Sequence, residues 1–290
     1  MACFHPLDAW QLESGAIVFS EKAGVLRSLR LPCGRCIGCR QVRVRGWAIR
    51  CMHEASMHAV SSFVTLTYDD AHLSASLNYS DFQRFMYRVR KRFGPTRFFM
   101  CGEYGVQNWR PHFHALLFGL TFKDGQVIGT DLYRSRELEL LWPYGYSSFG
   151  GVSMQSAGYV ARYSLKKVTG DAASSHYSRV DSRTGEIVQL VPEFGHMSLK
   201  PGIGFEWFKK YWKDVFAARD GVVMPGGHVM PAPRYYWKLL ESIDWDRREE
   251  LELERYLTAG KFAEDTTAAR LAVRELCQLA KEKFRKERAL

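Results

Sequence analysis

The chain of 290 residues contains no run of about 18 apolar residues, so no membrane span is expected. No basic stretch followed by an apolar core opens it, and no secretion signal is expected. No G-x-x-x-x-G-K-[ST] occurs, which excludes a P-loop helicase motor. No unit recurs at solenoid or propeller spacing. Acidic residues are missing where basic ones gather. From Arg27 to Arg50 there are seven arginines and no acid, and from Arg84 to Arg97 five arginines, one lysine and no acid. Net charge is +10, and the C-terminal stretch does not supply it: from residue 241 onward 11 basic residues face 12 acidic ones. A surface of this kind suits a phosphate-rich partner, although a solvated basic face is the plainer reading of either cluster alone.

Cysteine is sparse, odd in number at seven, and not spaced like a secreted disulfide scaffold. Cys33, Cys36 and Cys39 form C-x-x-C-x-x-C, with Cys51 and His53 not far beyond. In a reducing compartment this reads as structural Zn2+, with Cys51 or His53 completing the tetrahedron; reduced thiols in a tight turn are the bland alternative.

The strongest chemical signal is Arg110-Pro111-His112-Phe113-His114, followed by an apolar run. Alternate residues of a strand share a face, so His112 and His114 point the same way. Upstream, residues 97–103 read as a strand and 104–108 as a turn, which brings Glu103 back beside the histidines. Two imidazoles and one carboxylate leave positions for substrate oxygens on a divalent ion such as Mg2+ or Mn2+. Farther on, Tyr159 and Tyr163 stand four apart on a predicted helix over 157–168, capped by Ser156 and ended by Gly170, with Lys166 on the same side. A phenol with its ordinary pKa of about 10 is a weak nucleophile at neutral pH. A neighbouring ammonium and a metal-bound phosphate would favour its attack.

The two-histidine strand, the upstream glutamate and the Tyr-x-x-x-Tyr-x-x-Lys helix resemble the HUH endonucleases that start rolling-circle replication. Phe63-Val64-Thr65-Leu66-Thr67-Tyr68 resembles that superfamily's first-motif strand. The segments 1–6, 31–40 and 48–54, with Pro201-Gly202-Ile203-Gly204 and Pro233-Arg234-Tyr235-Tyr236, are similar to the replication initiators of gokushovirus-type microviruses, small tailless phages with circular single-stranded DNA. The resemblance covers roughly residues 1–240. It implies an α+β fold: a central antiparallel, palm-like sheet with helices over one face. It also implies metal-dependent nicking and joining of origin DNA through a 5′-phosphotyrosine. Tyr159 and Tyr163 would be the nucleophiles, Lys166 or else Lys167 would assist, and His112, His114 and Glu103 would hold the metal. Arg40, Arg43, Arg45, Arg110, Arg162 and Lys167 are the DNA-binding candidates. Single-stranded and supercoiled origin DNA and the host helicase, polymerase and single-strand-binding protein are the implied partners, in the cytoplasm of a bacterial host.

The expected organisation is an Arg/Cys-rich segment over 1–60 packed on the core, an endonuclease core over 61–235 and a helical tail over 236–290. Residues 40–60 predict a helix, Ser80 with Gln83 a capping box before a second helix ended by Gly94-Pro95, and 221–233 a linker. Two other readings stay open. One is a relaxase or single-strand transposase with the same chemistry; the other is a zinc-stabilised DNA-binding regulator without catalysis.

Overall fold

The computed structural model describes residues 3–105, 108–163, 167–168, 170–180, 184–217 and 220–287. The chain divides into two compact units, Val44–Lys238 and a second that combines Met1–Arg43 with Leu239–Leu290.

The larger unit is built on a seven-stranded sheet. Its strands run, in spatial order, Phe194–Met197, Arg97–Tyr104, Pro111–Phe118, Ser61–Tyr68, Gly145–Gly151, Leu132–Arg134 and Gln126–Gly129. Every pairing is antiparallel. The histidine strand, Pro111–Phe118, therefore lies inside the sheet, between its hairpin partner and the first-motif strand. The α+β class expected from the sequence is the class found.

Helices cover both faces of the sheet, not one. On the first face Val64, Leu66, Phe98, Met100, Phe113, Ala115 and Leu117 pack with Phe82, Phe85, Met86 and Val89 of the helix Tyr79–Phe93. Each such fully buried side chain contributes about 1.5–3 kcal/mol. Trp142 joins this layer because its indole N–H has a partner, the Thr67 carbonyl at 3.1 Å. On the second face Phe99, Cys101, Leu116 and Phe118 pack with Ala157, Val160 and Ala161 of the helix Met154–Tyr163, and with Ala48 and Cys51 of the helix Ile37–Ser56. With a covered layer on each side, both parities of the central strands turn apolar. That is why Arg97–Tyr104 reads as an almost unbroken apolar run instead of an alternation.

Local signals fall close to their predicted places. Asn78, not Ser80, caps the Tyr79–Phe93 helix, its side chain accepting from the Ser80 N–H. Gly94, at φ +84°, ends it. The tyrosine helix starts at Met154, earlier than predicted. Ser153 and Ser156 each accept from the other's backbone N–H, at 3.1 and 2.8 Å, so Ser156 is the inner half of the box and not the cap. The expected linker at 221–233 carries a short ladder, Val222–Val223 against Val229–Met230.

In the smaller unit Leu7–Leu12 is the middle strand of an antiparallel sheet with Ile17–Val18 and Val25–Leu31. The tail is helical over Trp245–Gly260 and Ala268–Glu287. The helix Ile37–Ser56 crosses the division between the units at Arg43.

Candidate active site

Strand register builds the site. Glu103 pairs with His112 across the hairpin, and His114 pairs with Cys101 on one side and Thr65 on the other. Cross-strand partners share a face, so Glu103, His112, His114, Thr65 and Thr67 all project toward the layer that holds the tyrosine helix.

Glu103 Oε1 is the hub. It lies 2.9 Å from His112 Nε2, 3.0 Å from His114 Nε2 and 2.9 Å from the Tyr159 hydroxyl, which donates to it. The carboxylate is 1% exposed, which removes water as the alternative partner. Burial pushes its pKa up, but the two imidazoles outweigh burial and hold it below the ordinary carboxylate range. Burial pushes His114 down, against the opposing pull of Glu103.

The imidazoles are aimed from behind. A carbonyl only accepts, so His112 donates through Nδ1 to the Arg110 oxygen at 3.1 Å. In a neutral ring Nε2 is then an acceptor facing the Glu103 oxygen, and two acceptors at that distance repel. A proton or a cation between them removes the conflict. His114 Nδ1 is likewise held by Thr65 Oγ1 at 3.0 Å. Glu103 Oε2 and His114 Nε2 are buried without an aligned hydrogen-bond partner. The ligand atoms of Glu103, His112 and His114 all lie within 4.8 Å of one another. Two borderline nitrogens, one hard oxygen, orphaned atoms and imidazoles fixed by backbone and hydroxyl partners fit a divalent ion.

Tyr159 and Tyr163 flank the buried Ala157–Val160–Ala161 stripe of their helix, and both are half-buried. Their rings stand 4.5 Å apart, and Tyr159 meets His114 edge-on at 4.9 Å. Burial, then the Glu103 charge, pushes both phenols above their ordinary pKa. The predicted assistant Lys166 lies outside the described residues, and Lys167 is exposed.

Beside the triad a cavity of about 610 Å3 opens on the same face, lined by Thr65, Thr67, Ser148, Tyr146, Arg134 and Arg136 among others. Of the DNA-binding candidates, Arg40, Arg43, Arg45 and Arg162 are exposed. Arg110 is engaged instead, paired with Asp70 at 2.7 Å and the Tyr68 carbonyl at 3.0 Å.

The cysteines assemble differently from the prediction. Cys33, Cys36 and Cys39 are joined by Cys3, with sulfurs within 4.8 Å of one another. Cys51 is not the fourth member. It shares the helix Ile37–Ser56 with Cys39, and a helix rises 1.5 Å per residue, so the two stand about 18 Å apart. Cys51 is fully buried among Ala48, Phe99 and Leu116. His53, farther along, is used by Tyr236 and stacks on Trp207. Cys3 and Thr65 are the residues that sequence reasoning missed. Strand parity opposite His114 could have pointed to Thr65, whereas no local signal marks Cys3.

Residues 61–168 match the family model for replication-associated proteins of the ORF2 type, a span from the first-motif strand past the tyrosine helix. The replication-associated protein VP4 of Bdellovibrio phage phiMH2K is 32% identical over 300 aligned residues, covering 98% of this chain and 86% of that protein. The chain belongs to the replication-associated proteins of gokushovirus-type microviruses. A part in phage DNA replication goes with that membership. This microvirus protein is also 31% identical to replication-associated protein ORF4 of Chlamydia phage 1, over 74% of its own length and 55% of the relative's. To replication-associated protein ORF2 of Spiroplasma virus 4 it is 26% identical, over 84% and 82%. No solved structure matches it. Among the described residues of this replication-associated protein, no helix is long and apolar enough to cross a membrane.

Proposed function

We propose that this chain initiates rolling-circle replication by nicking one strand of circular phage DNA at the origin and later rejoining it, through a tyrosine linked to the 5′ phosphate. The observation that carries the reading is the meeting of two imidazoles and a phenol on one carboxylate oxygen, Glu103 Oε1.

Glu103, His112 and His114 would hold Mg2+ or Mn2+, which when bound supplies charge to a phosphodiester and polarises its phosphorus. Tyr159 oxygen attacks that phosphorus in line. The new bond is Tyr159 O–P, the broken bond is P–O3′, and the proton lost by the phenol is balanced by one gained at the leaving 3′ oxygen. The free 3′-OH primes host synthesis. Because the phosphotyrosine keeps the ester's energy, a later 3′-OH reverses the exchange without ATP. Tyr163, its ring against Tyr159, takes the second cut while the first tyrosine is occupied.

The cavity lined by Thr65, Thr67 and Tyr146 lies on the same face and suits the unpaired strand beside the scissile phosphate. Tyr146 is 70% exposed, which leaves its ring free for a base to stack on. Exposed arginines of the helix Ile37–Ser56 supply sequence-independent attraction to phosphates. A host helicase, polymerase and single-strand-binding protein complete the cycle.

Incubation with a single-stranded origin oligonucleotide and Mn2+ tests the reading. A covalent protein–DNA adduct that requires the metal is expected. Binding without cleavage would leave a DNA-binding regulator, and nicking with a free 5′ phosphate would remove the tyrosine mechanism.

A further inference from the structure

The smaller unit carries a cluster that the nicking chemistry does not use. Cys3 is 2% exposed, Cys36 and Cys39 are each 9% exposed, and together with Phe4 and Cys33 they form a small buried cluster. All four cysteines are free, and Cys36 Sγ stands 4.0 Å from Cys3 Sγ, twice the length of a disulfide bond.

Peptide N–H groups converge on these sulfurs. Arg35 and Cys36 donate to Cys33 Sγ at 3.5 and 3.4 Å. Phe4 donates to Cys36 Sγ at 3.4 Å, and Cys33 to Cys3 Sγ at 3.2 Å. Gly34, at φ +74°, lets the chain turn tightly enough for the first pair. A neutral thiol is a weak acceptor, so four donors aimed at three sulfurs describe sites for thiolates. Four thiolates packed together need a dication among them. Four sulfur ligands in closed array select zinc over magnesium or manganese.

We propose that Cys3, Cys33, Cys36 and Cys39 bind one structural zinc ion, and that Cys3 is the ligand which closes the site. Four S–Zn bonds form as four thiol protons pass to solvent. The ion ties the start of the chain to the turn that opens the helix Ile37–Ser56, enclosing the three-stranded sheet of residues 7–31 in one loop. It thereby fixes the first turns of the helix that exposes Arg40 and Arg43.

Elemental analysis and cobalt substitution of the full chain test this. Wild type, Cys51→Ala, Cys277→Ser and His112→Ala should each carry one zinc per chain, whereas Cys3→Ser should lose most of it. Cobalt-loaded wild type should show the charge-transfer band of tetrahedral thiolate ligation. Its intensity per ion should fall in Cys3→Ser in proportion to one lost Co–S bond. Should Cys3→Ser fail to fold, the wild-type zinc content and cobalt spectrum still decide the outcome. Full zinc and an unchanged cobalt spectrum in Cys3→Ser would remove Cys3 from the site. Iron in place of zinc, zinc lost from Cys51→Ala but kept in Cys3→Ser, or a metal-free wild type whose melting is indifferent to chelators would overturn the proposal. None of these readouts depends on nicking.

Discussion

The hydroxyl of Tyr159 lies 2.9 Å from Glu103 Oε1. That contact sets two demands against each other. The carboxylate is needed to hold a cation, yet its charge, after burial, makes the phenol harder to ionise. Glu103→Gln separates them. It keeps the shape and removes the charge, so a phenol acting without metal would become more reactive. We expect the opposite: nicking falls on the order of 100-fold or more, because the cation is lost. Rates on an origin oligonucleotide across a Mn2+ titration read this directly, and a faster variant would contradict the metal role.

Thr65 tests the outer support of the site. Its hydroxyl holds His114 Nδ1 at 3.0 Å. Thr65→Val should weaken Mn2+ binding by about 10- to 100-fold, with nicking largely restored at high Mn2+. Thr65→Ser should stay near wild type. Equal losses in both variants, unrelieved by metal, would point to packing instead.

The two phenols should divide the labour. Tyr159→Phe and Tyr163→Phe are each expected to keep some nicking of single-stranded origin DNA and to fail in circle production. The double variant should form no adduct. Peptide mapping of DNA-linked wild-type protein should place the phosphate on one of these residues, with Tyr159 favoured by its contact to Glu103. A phosphate on any other tyrosine would end the assignment.

His53 should make the fold sensitive to acid. Burial pushes its pKa down to about 3 from 6.5, and its Nδ1 shares a hydrogen bond of 2.8 Å with the Tyr236 hydroxyl. Between those pH values the unfolded chain holds a proton that the folded chain refuses, so stability falls as pH drops below 6.5. The slope from this residue is about 1.4 kcal/mol per pH unit. Burial lowers His114 and His196 as well, which adds to the same trend. Melting temperatures of wild type and His53→Gln from pH 7 to 4.5 should therefore converge on acidification. Parallel curves would show that His53 is not the sensor.

Much of the site was legible because it is local. His112 and His114 share a face by parity, and one hairpin brings Glu103 to them, so three residues close in sequence carried the geometry. Tyr159 and Tyr163 needed only helical spacing. Fold class was legible from element types, but helices on both sheet faces were not, since an apolar run does not say what covers it. The cysteines show the limit most clearly. Cys51 was favoured because it is near in sequence, and helical rise carries it away. Cys3 was passed over because it is 30 residues from Cys33, and only the path of the intervening sheet returns it.

The central strand has both of its sides in use: Phe113, Ala115 and Leu117 in one layer, His112, His114 and Leu116 toward the other. Losing or gaining one residue within Pro111–Phe118 would exchange these sets, putting imidazoles into hydrocarbon and a phenyl ring where the ligands stand. The connection between Tyr104 and Pro111 carries no such phase. Length differences among related chains should therefore accumulate in that connection, while the interval from Pro111 to Phe118 stays fixed at eight residues.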